Sequence, residues 1–211
     1  MLFQTITKIE FQEKKKDRRS IFLDGQFAFG VHEEIYVKYG LTTGAILTPE
    51  QIEAIQFDES KRSAKESALR FLEHRSRSEK EIRQKLTGYK YPGPVIDEIV
   101  QNLKESKLID DEDFARRFAQ DKILSSPMGA RLLQQELWKK GIAEELIQRT
   151  IREVLPELKQ LELAEKIVKK KMKTLKNTDD RKKKQKLSEF LARKGFDWEI
   201  IWKAVKPDIF E

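Results

Sequence analysis

A chain of 211 residues that is 37% charged and only 38% hydrophobic lacks the apolar content of a large globular core and suits slim helical units packed on their neighbours. Without cysteine it has no disulfide, zinc–thiolate or thiol chemistry, and a reducing compartment is compatible. The net charge of +7 favours polyanionic partners, and the start, Met1-Leu-Phe-Gln-Thr-Ile-Thr-Lys8, has no long apolar run, so a soluble cytoplasmic protein without signal peptide or membrane span is expected.

Residues 1 to about 47 do not follow a helical period. Thr7-Lys-Ile-Glu-Phe11 alternates, and Ser20-Ile-Phe-Leu-Asp-Gly-Gln-Phe-Ala-Phe29 reads as a hairpin around Asp24-Gly25, a pair suited to the positive φ angles of a type I′ turn. A three-stranded antiparallel sheet is expected, with the charged stretch Gln12–Arg19 as the loop between its first two strands. The run Lys14-Lys-Lys-Asp-Arg-Arg19 could touch phosphate or guard a sheet edge against aggregation. Phe22, Phe27 and Phe29 suit a small core better than a base-stacking platform. Glu33–Tyr39 reads as a short helix ended by Gly40. Thr48-Pro-Glu-Gln51 carries cap, proline and capping-box chemistry and predicts a second short helix to about Phe57.

From there one helical pattern is written three times. Ile82, Leu86, Ile96 and Val100 correspond to Leu133, Leu137, Ile147 and Ile151, and to Leu187, Leu191, Ile201 and Val205. Each set has two apolar residues one turn apart on one helix and two on the next. An earlier helix is marked by Ala68-x-x-Phe71-Leu72, Ala115-x-x-Phe118-Ala119 and Ala164-x-x-Ile167-Val168. The fold class is therefore mainly α: a tandem array of three helix-turn-helix-like three-helix repeats, preceded by a small antiparallel β-rich N-terminal module. The expected divisions are 1–60 for the module and 61–109, 110–155 and 156–211 for the repeats.

The joins are also legible. Lys140-Gly141-Ile142 and Lys194-Gly195-Phe196 place glycine at a left-handed C-cap, followed by an apolar residue that folds back. Gly88-Tyr-Lys-Tyr-Pro-Gly-Pro94 predicts a longer loop at the same place in the first repeat. Ser63 with Glu66 and Ser78 with Glu81 have capping-box spacing, and Ser126-Pro127 reads as a cap before a first-turn proline. The connection from first to second helix lengthens from copy to copy.

No catalytic residue, cofactor motif or metal-ligand set emerges. His32 and His74 sit in no triad or ligand arrangement, and there is no phosphate-binding glycine loop. Asp110-Asp-Glu-Asp113 falls where carboxylates cap a helix start. Tyr89 and Tyr91 could contact a partner or simply pack a turn. The strongest functional signal is charge. Residues 169–186 hold Lys169, Lys170, Lys171, Lys173, Lys176, Arg181, Lys182, Lys183, Lys184 and Lys186 against only Asp179 and Asp180, leaving the rest of the chain near neutral. These are the leading candidates for DNA contact, with Arg131, Lys139 and Lys140 in second rank. A solvated lysine-rich helix face is the plainer reading.

The order Ala68-Leu-Arg-Phe-Leu72, Arg75-Ser-Arg-Ser-Glu79, Ile82-Arg-Gln-Lys-Leu86 and Leu108-Ile-Asp-Asp-Glu-Asp-Phe-Ala115 closely resembles the RecX regulatory proteins of bacteria, as does Lys140-Gly-Ile142 with Glu145 and Ile147. The resemblance covers about 65 to 205, and the β-rich start looks like the amino-terminal extension of some longer members. It implies a non-catalytic modulator of the recombinase RecA, an array of three-helix repeats that lies in the groove of the RecA–DNA filament and hinders its growth or promotes its disassembly. The implied partners are a RecA-type filament and single- or double-stranded DNA, and a monomer is expected. Two other classes stay open: an autonomous helix-turn-helix-like DNA binder, and a protein scaffold with no nucleic-acid role.

Overall fold

A computed structural model of the chain describes residues 3–13, 15–175 and 179–205. Its strands are β1 Gln4–Gln12, β2 Lys15–Leu23, β3 Gln26–His32 and β4 Ile46–Leu47. Its helices are α1 Glu33–Lys38, α2 Pro49–Glu73, α3 Glu79–Gly88, α4 Gly93–Glu105, α5 Asp111–Ser125, α6 Ala130–Lys139, α7 Glu144–Val154, α8 Glu157–Met172, α9 Asp180–Arg193 and α10 Trp198–Ala204. They form two compact units, Met1–Arg75 with Ile82–Ser106, and Ser76–Glu81 with Lys107–Glu211.

In the first unit the sheet is antiparallel with strand order β3-β2-β1-β4. Asp24 (φ 48°) and Gly25 (φ 85°) both take the positive angles of the expected hairpin turn. The Asp24 carboxylate accepts from Thr5 N–H at 3.0 Å, which ties the turn to β1. The sheet has a fourth strand beyond the three expected: β4 pairs Ile46 with Thr5 and Leu47 with Gln4, a segment too short to show alternation. The charged stretch expected as a loop is mostly strand, because β2 begins at Lys15; Lys14 lies outside the described residues.

The β2 arginines are used structurally. The Arg18 guanidinium pairs with Glu59 at 2.6 Å and donates to the Gly30 carbonyl at 3.2 Å. Arg19 pairs with Glu33 at 2.7 Å and lies 3.9 Å from the Phe11 ring centre and 4.3 Å from that of Tyr36. Ile6, Ile21, Leu23, Phe29, Val31, Ile35, Leu41, Leu47 and Ile55 make the core. Of the three phenylalanines expected there, only Phe29 is buried. Phe27 is 60% exposed and meets the half-buried Phe22 edge-on at 5.8 Å: Phe22 alternates with the buried Ile21 and Leu23, and a bulge that leaves Ala28 unpaired in β3 turns Phe27 to the same outer face.

The helix after Thr48 is not short. Thr48 and Gln51 form the expected capping box, and α2 then runs for 25 residues through Phe57 and Ser63. Nothing between those residues breaks a helix, and Glu59 holds it to the sheet. The Glu59 carboxylate accepts from Arg18 and from the His32 backbone N–H at 2.7 Å. Ser63 is therefore no helix start: its hydroxyl lies 2.9 Å from Tyr91 Oη, and Glu66 pairs with Arg62 at 3.0 Å. One helix serves the sheet through Ile55 and Glu59 and packs on α4 as the first helix of the first repeat, with Ala64 and Ala68 buried.

The three repeats are α2–α3–α4, α5–α6–α7 and α8–α9–α10. All twelve apolar positions of the threefold pattern are buried, none more than 8% exposed. Asp110 caps α5 as expected, accepting from Glu112 N–H at 2.9 Å and Asp113 N–H at 3.0 Å. The second helix of every repeat closes alike. Tyr91 N–H reaches back to Leu86 O at 3.3 Å, Ile142 to Leu137 at 3.3 Å and Phe196 to Leu191 at 3.2 Å. The residue before each is left-handed: Lys90 (φ 63°), Gly141 (φ 82°) and Gly195 (φ 82°). The longer loop expected in the first repeat is thus the same closure, with lysine accepting a conformation that costs about 1–2 kcal/mol outside glycine. Ser126-Pro127 is no helix start either. Ser126 ends α5, whose run to Ser125 takes up much of the longer first connection, and Gly129 precedes α6.

Within the second unit the closures of α6 and α9 make a joint. Ser78 forms its capping box with Glu81, and its hydroxyl also donates to the Lys140 carbonyl at 2.7 Å. Gly129 N–H donates to the Lys194 carbonyl at 2.9 Å and Arg131 N–H to the Gly195 carbonyl at 3.1 Å. Ser78 and Gly129 each lie four residues before the first buried residue of a second helix, so the two joints correspond. A Cβ on Gly129 would strike the Gly195 carbonyl, and one on Gly195 would strike the Leu132 backbone.

Gly129→Ala, which carries no positive-φ penalty, should therefore cost about 1–3 kcal/mol from overpacking. Gly195→Ala should cost about 1–2 kcal/mol more from its left-handed backbone, while Gly88→Ala, with open space around it, should be near neutral. Urea midpoints at constant m-value check all three. Glu59→Gln should cost about 3 kcal/mol, the low end for breaking a buried pair because Arg18 keeps 20% side-chain exposure, and a midpoint within 0.5 kcal/mol of the parent, on the order expected of a surface change, would contradict it.

Candidate nucleic-acid interface

The lysine-rich run flanks the connection between α8 and α9. In α8 the buried positions are Ala164 and Val168, and in α9 they are Leu187 and Leu191. That stripe turns Lys169, Lys170, Arg181, Lys182, Lys184 and Lys186 outward, and all six are exposed, as is Lys173 at the α8 C-cap. Cations in the last turn of α8 also sit well against its negative dipole end. Among the described residues none of these seven pairs with a carboxylate. Lys183 differs: it is half-buried and pairs with Asp180 at 2.6 Å. Lys171 lies over the Phe190 ring at 5.4 Å. Lys176 lies outside the described residues.

The second-rank candidates are placed otherwise. Arg131 pairs with Asp197, Lys139 with Glu136 at 2.7 Å and Lys140 with Glu81 at 2.7 Å. Lys140 is also 5.6 Å from the Phe118 ring centre, and its carbonyl takes the Ser78 joint. Hydrogen bonds from Lys139 and then Lys122 hold the Glu136 carboxyl below its ordinary range. These three cations are neutralised in place, whereas the seven exposed cations of the third repeat pair with no carboxylate among the described residues.

Sequence reasoning missed two features here. Lys203 is clamped between Glu157 at 2.7 Å and Glu199 at 2.9 Å, and the hydrogen bonds it donates to both carboxylates raise its pKa, joining α10 to the start of α8. Pro127, Ile167 and Phe190 line a cleft of about 300 Å³ beside Lys170 and Lys171. Its one available signal was Phe190, an aromatic just off the Leu187–Leu191 stripe. His32 caps α1 through Nδ1 at 3.1 Å and His74 ends α2. Among the described residues no three His, Cys, Asp or Glu side chains are grouped to hold a metal, and no helix is long and apolar enough to cross a membrane.

Four family models match in sequence order: the Regulatory protein RecX N-terminal domain over residues 4–48, and the first, second and third three-helix domains of RecX over 64–103, 110–151 and 159–205. The chain belongs to the RecX family of regulatory proteins. The Regulatory protein RecX of Leuconostoc mesenteroides subsp. mesenteroides is 37% identical over 195 residues, covering 92% of this chain and 72% of that one. That of Clostridium beijerinckii is 34% identical over 203 residues, covering 95% and 94%. A crystal structure of a regulatory protein RecX matches with a TM-score of 0.71 at 31% identity, over 93% of this chain and 96% of that one. RecX from Lactobacillus salivarius, at 24% identity and a TM-score of 0.65, shares the fold over 68% of this chain. The lysine-rich edge falls wholly within the third RecX domain.

The two groups of cations should separate by stability. Changing Lys182, Lys183 and Lys184 together to Ala should leave stability within about 0.5 kcal/mol of the parent, because the one ion pair lost, Lys183 with Asp180, has its carboxylate in solvent. Lys140→Ala should cost about 1 kcal/mol or more through the half-buried Glu81 pair and its stem packing on Phe118.

Proposed function

We propose that this protein is a non-catalytic modulator of a RecA-type recombinase, acting as a monomer in the cytoplasm, which docks in the groove of the recombinase–DNA filament and inhibits its activity. The observation that carries the DNA part of this reading is the set of exposed cations Lys169, Lys170, Lys173, Arg181, Lys182, Lys184 and Lys186, which pair with no carboxylate among the described residues. Side chains held for stability are paired, as Arg131, Lys139 and Lys140 are, while this edge leaves its charge for an outside anion. Phosphates of single- or double-stranded DNA supply that anion. Binding there releases counterions and is salt-sensitive. Membership of a family of regulators supports the control role, and tandem repeats suit a filament because each further subunit contact is made at high effective concentration.

ATP hydrolysis by a RecA-type recombinase on single-stranded DNA tests the reading. Titrated in well below the recombinase concentration, the protein should strongly suppress turnover, since a few bound molecules act on a whole filament. The Lys182, Lys183 and Lys184 to Ala variant should need more protein for the same effect, and its log–log salt dependence should be flatter by about 0.7–0.9 for each phosphate contact removed. Suppression only once the DNA is saturated would reduce the protein to a competitor for the lattice, and an unchanged salt slope would move the DNA contact elsewhere.

A further inference from the structure

The first unit holds a cavity of about 590 Å³ along the C-terminal part of α2, within the range of small-ligand sites. Its floor is polar and ordered: Tyr91 Oη lies 2.9 Å from Ser63 Oγ and 3.1 Å from Ser67 Oγ. Lys15, Arg70, His74 and Lys85 line it, and none of the described residues lining it is acidic. Arg70 shares Glu66 with Arg62, at 3.3 Å, but Lys15 and Lys85 pair with no carboxylate among the described residues. Lys85 instead lies between two rings, 5.4 Å from the centre of Phe71 and 4.8 Å from that of Tyr89. Tyr89 stands edge-on to Tyr91 at 6.3 Å and keeps 53% of its surface exposed at the rim.

Converging cations without a lining carboxylate call for an anion. An exposed ring beside them offers a face for a flat group, and hydroxyls on the floor add donors and acceptors. A phosphate-flanked nucleobase has all three complements. The base must be unpaired, because a duplex holds its faces inside the stack while a single strand can lay one on a tyrosine. The geometry points to a nucleotide-binding site in this cavity that takes one unit of single-stranded nucleic acid, with the base stacked on Tyr89 and its flanking phosphates on Lys15 and Lys85. Arg70 adds a third cation to the wall. The site lies in a different unit from the lysine-rich edge and does not rest on the recombinase.

The test is fluorescence anisotropy of the full-length chain with a labelled oligothymidylate, against a duplex of equal length. Tyr89→Ala should weaken single-strand binding about tenfold and leave duplex binding unchanged, with the same ratio in the Lys182, Lys183 and Lys184 to Ala background. Tyr89→Phe, which keeps the ring, should match the parent. Lys85→Gln should lower the single-strand salt slope by about 0.7. Far-ultraviolet circular dichroism checks that each variant is folded. An unchanged single-strand affinity for folded Tyr89→Ala, or an equal loss on duplex, overturns the proposal. Saturation by thymidine monophosphate at concentrations that leave the oligothymidylate unbound would overturn it in favour of a mononucleotide pocket. Because no recombinase is present, failure here leaves the filament reading standing, and failure of the filament assay leaves this site standing.

Discussion

A single left-handed residue at the end of the second helix governs each repeat. It turns the backbone so that Tyr91, Ile142 or Phe196 falls back under the helix it has just left, and the third helix then starts at a set distance and angle. The paired apolar residues on either side can only meet because that turn is the same length in all three copies. In the second unit the turn has another role. It presents the carbonyls of Lys194 and Gly195 to the Gly129 and Arg131 amides, so the closure of the third repeat is also its joint to the second. Local backbone geometry and repeat-to-repeat packing are one constraint here.

How much of this could be read in advance follows from where the information lies. Burial of the threefold pattern, the Asp24-Gly25 turn and the caps at Thr48, Ser78 and Asp110 depend on neighbours in sequence, and all were legible. Lys90 hid the first closure because glycine, not the conformation, is what a reader recognises. The extent of α2 was hidden for a different reason. Ser63 and Glu66 have cap spacing, yet the Ser63 hydroxyl meets Tyr91 of a later turn, a contact that only the fold reveals. β4 escaped because two residues carry no period.

The charge distribution divides along the same line. Sequence finds clusters of cations but not their partners, so it left Arg18 and Arg19 open between touching phosphate and guarding a sheet edge. In the fold these two are held by Glu59 and Glu33, whereas Lys169, Lys170, Lys182, Lys184 and Lys186 of α8 and α9 face solvent. Tertiary pairing, not density of charge, therefore distinguishes a structural cation from one left for an anion. The aromatic residues divide likewise, Phe29 into the core and Tyr89 to a rim.

The long α2 helix has a further consequence. At 25 residues it spans roughly 37 Å, and it has its N-terminal half in the sheet module and its C-terminal half in the first repeat. A helix frays from its ends, not from its middle, and both of these ends are anchored. The module and the first repeat therefore share one helix whose buried side chains run from Ile55 through Glu59 and Ala64 to Ala68, so local opening of the one is expected to be coupled to the other. A proteolytic cut between them would sever the one helix that gives Ile55 to the sheet core and Ala64 and Ala68 to the first repeat.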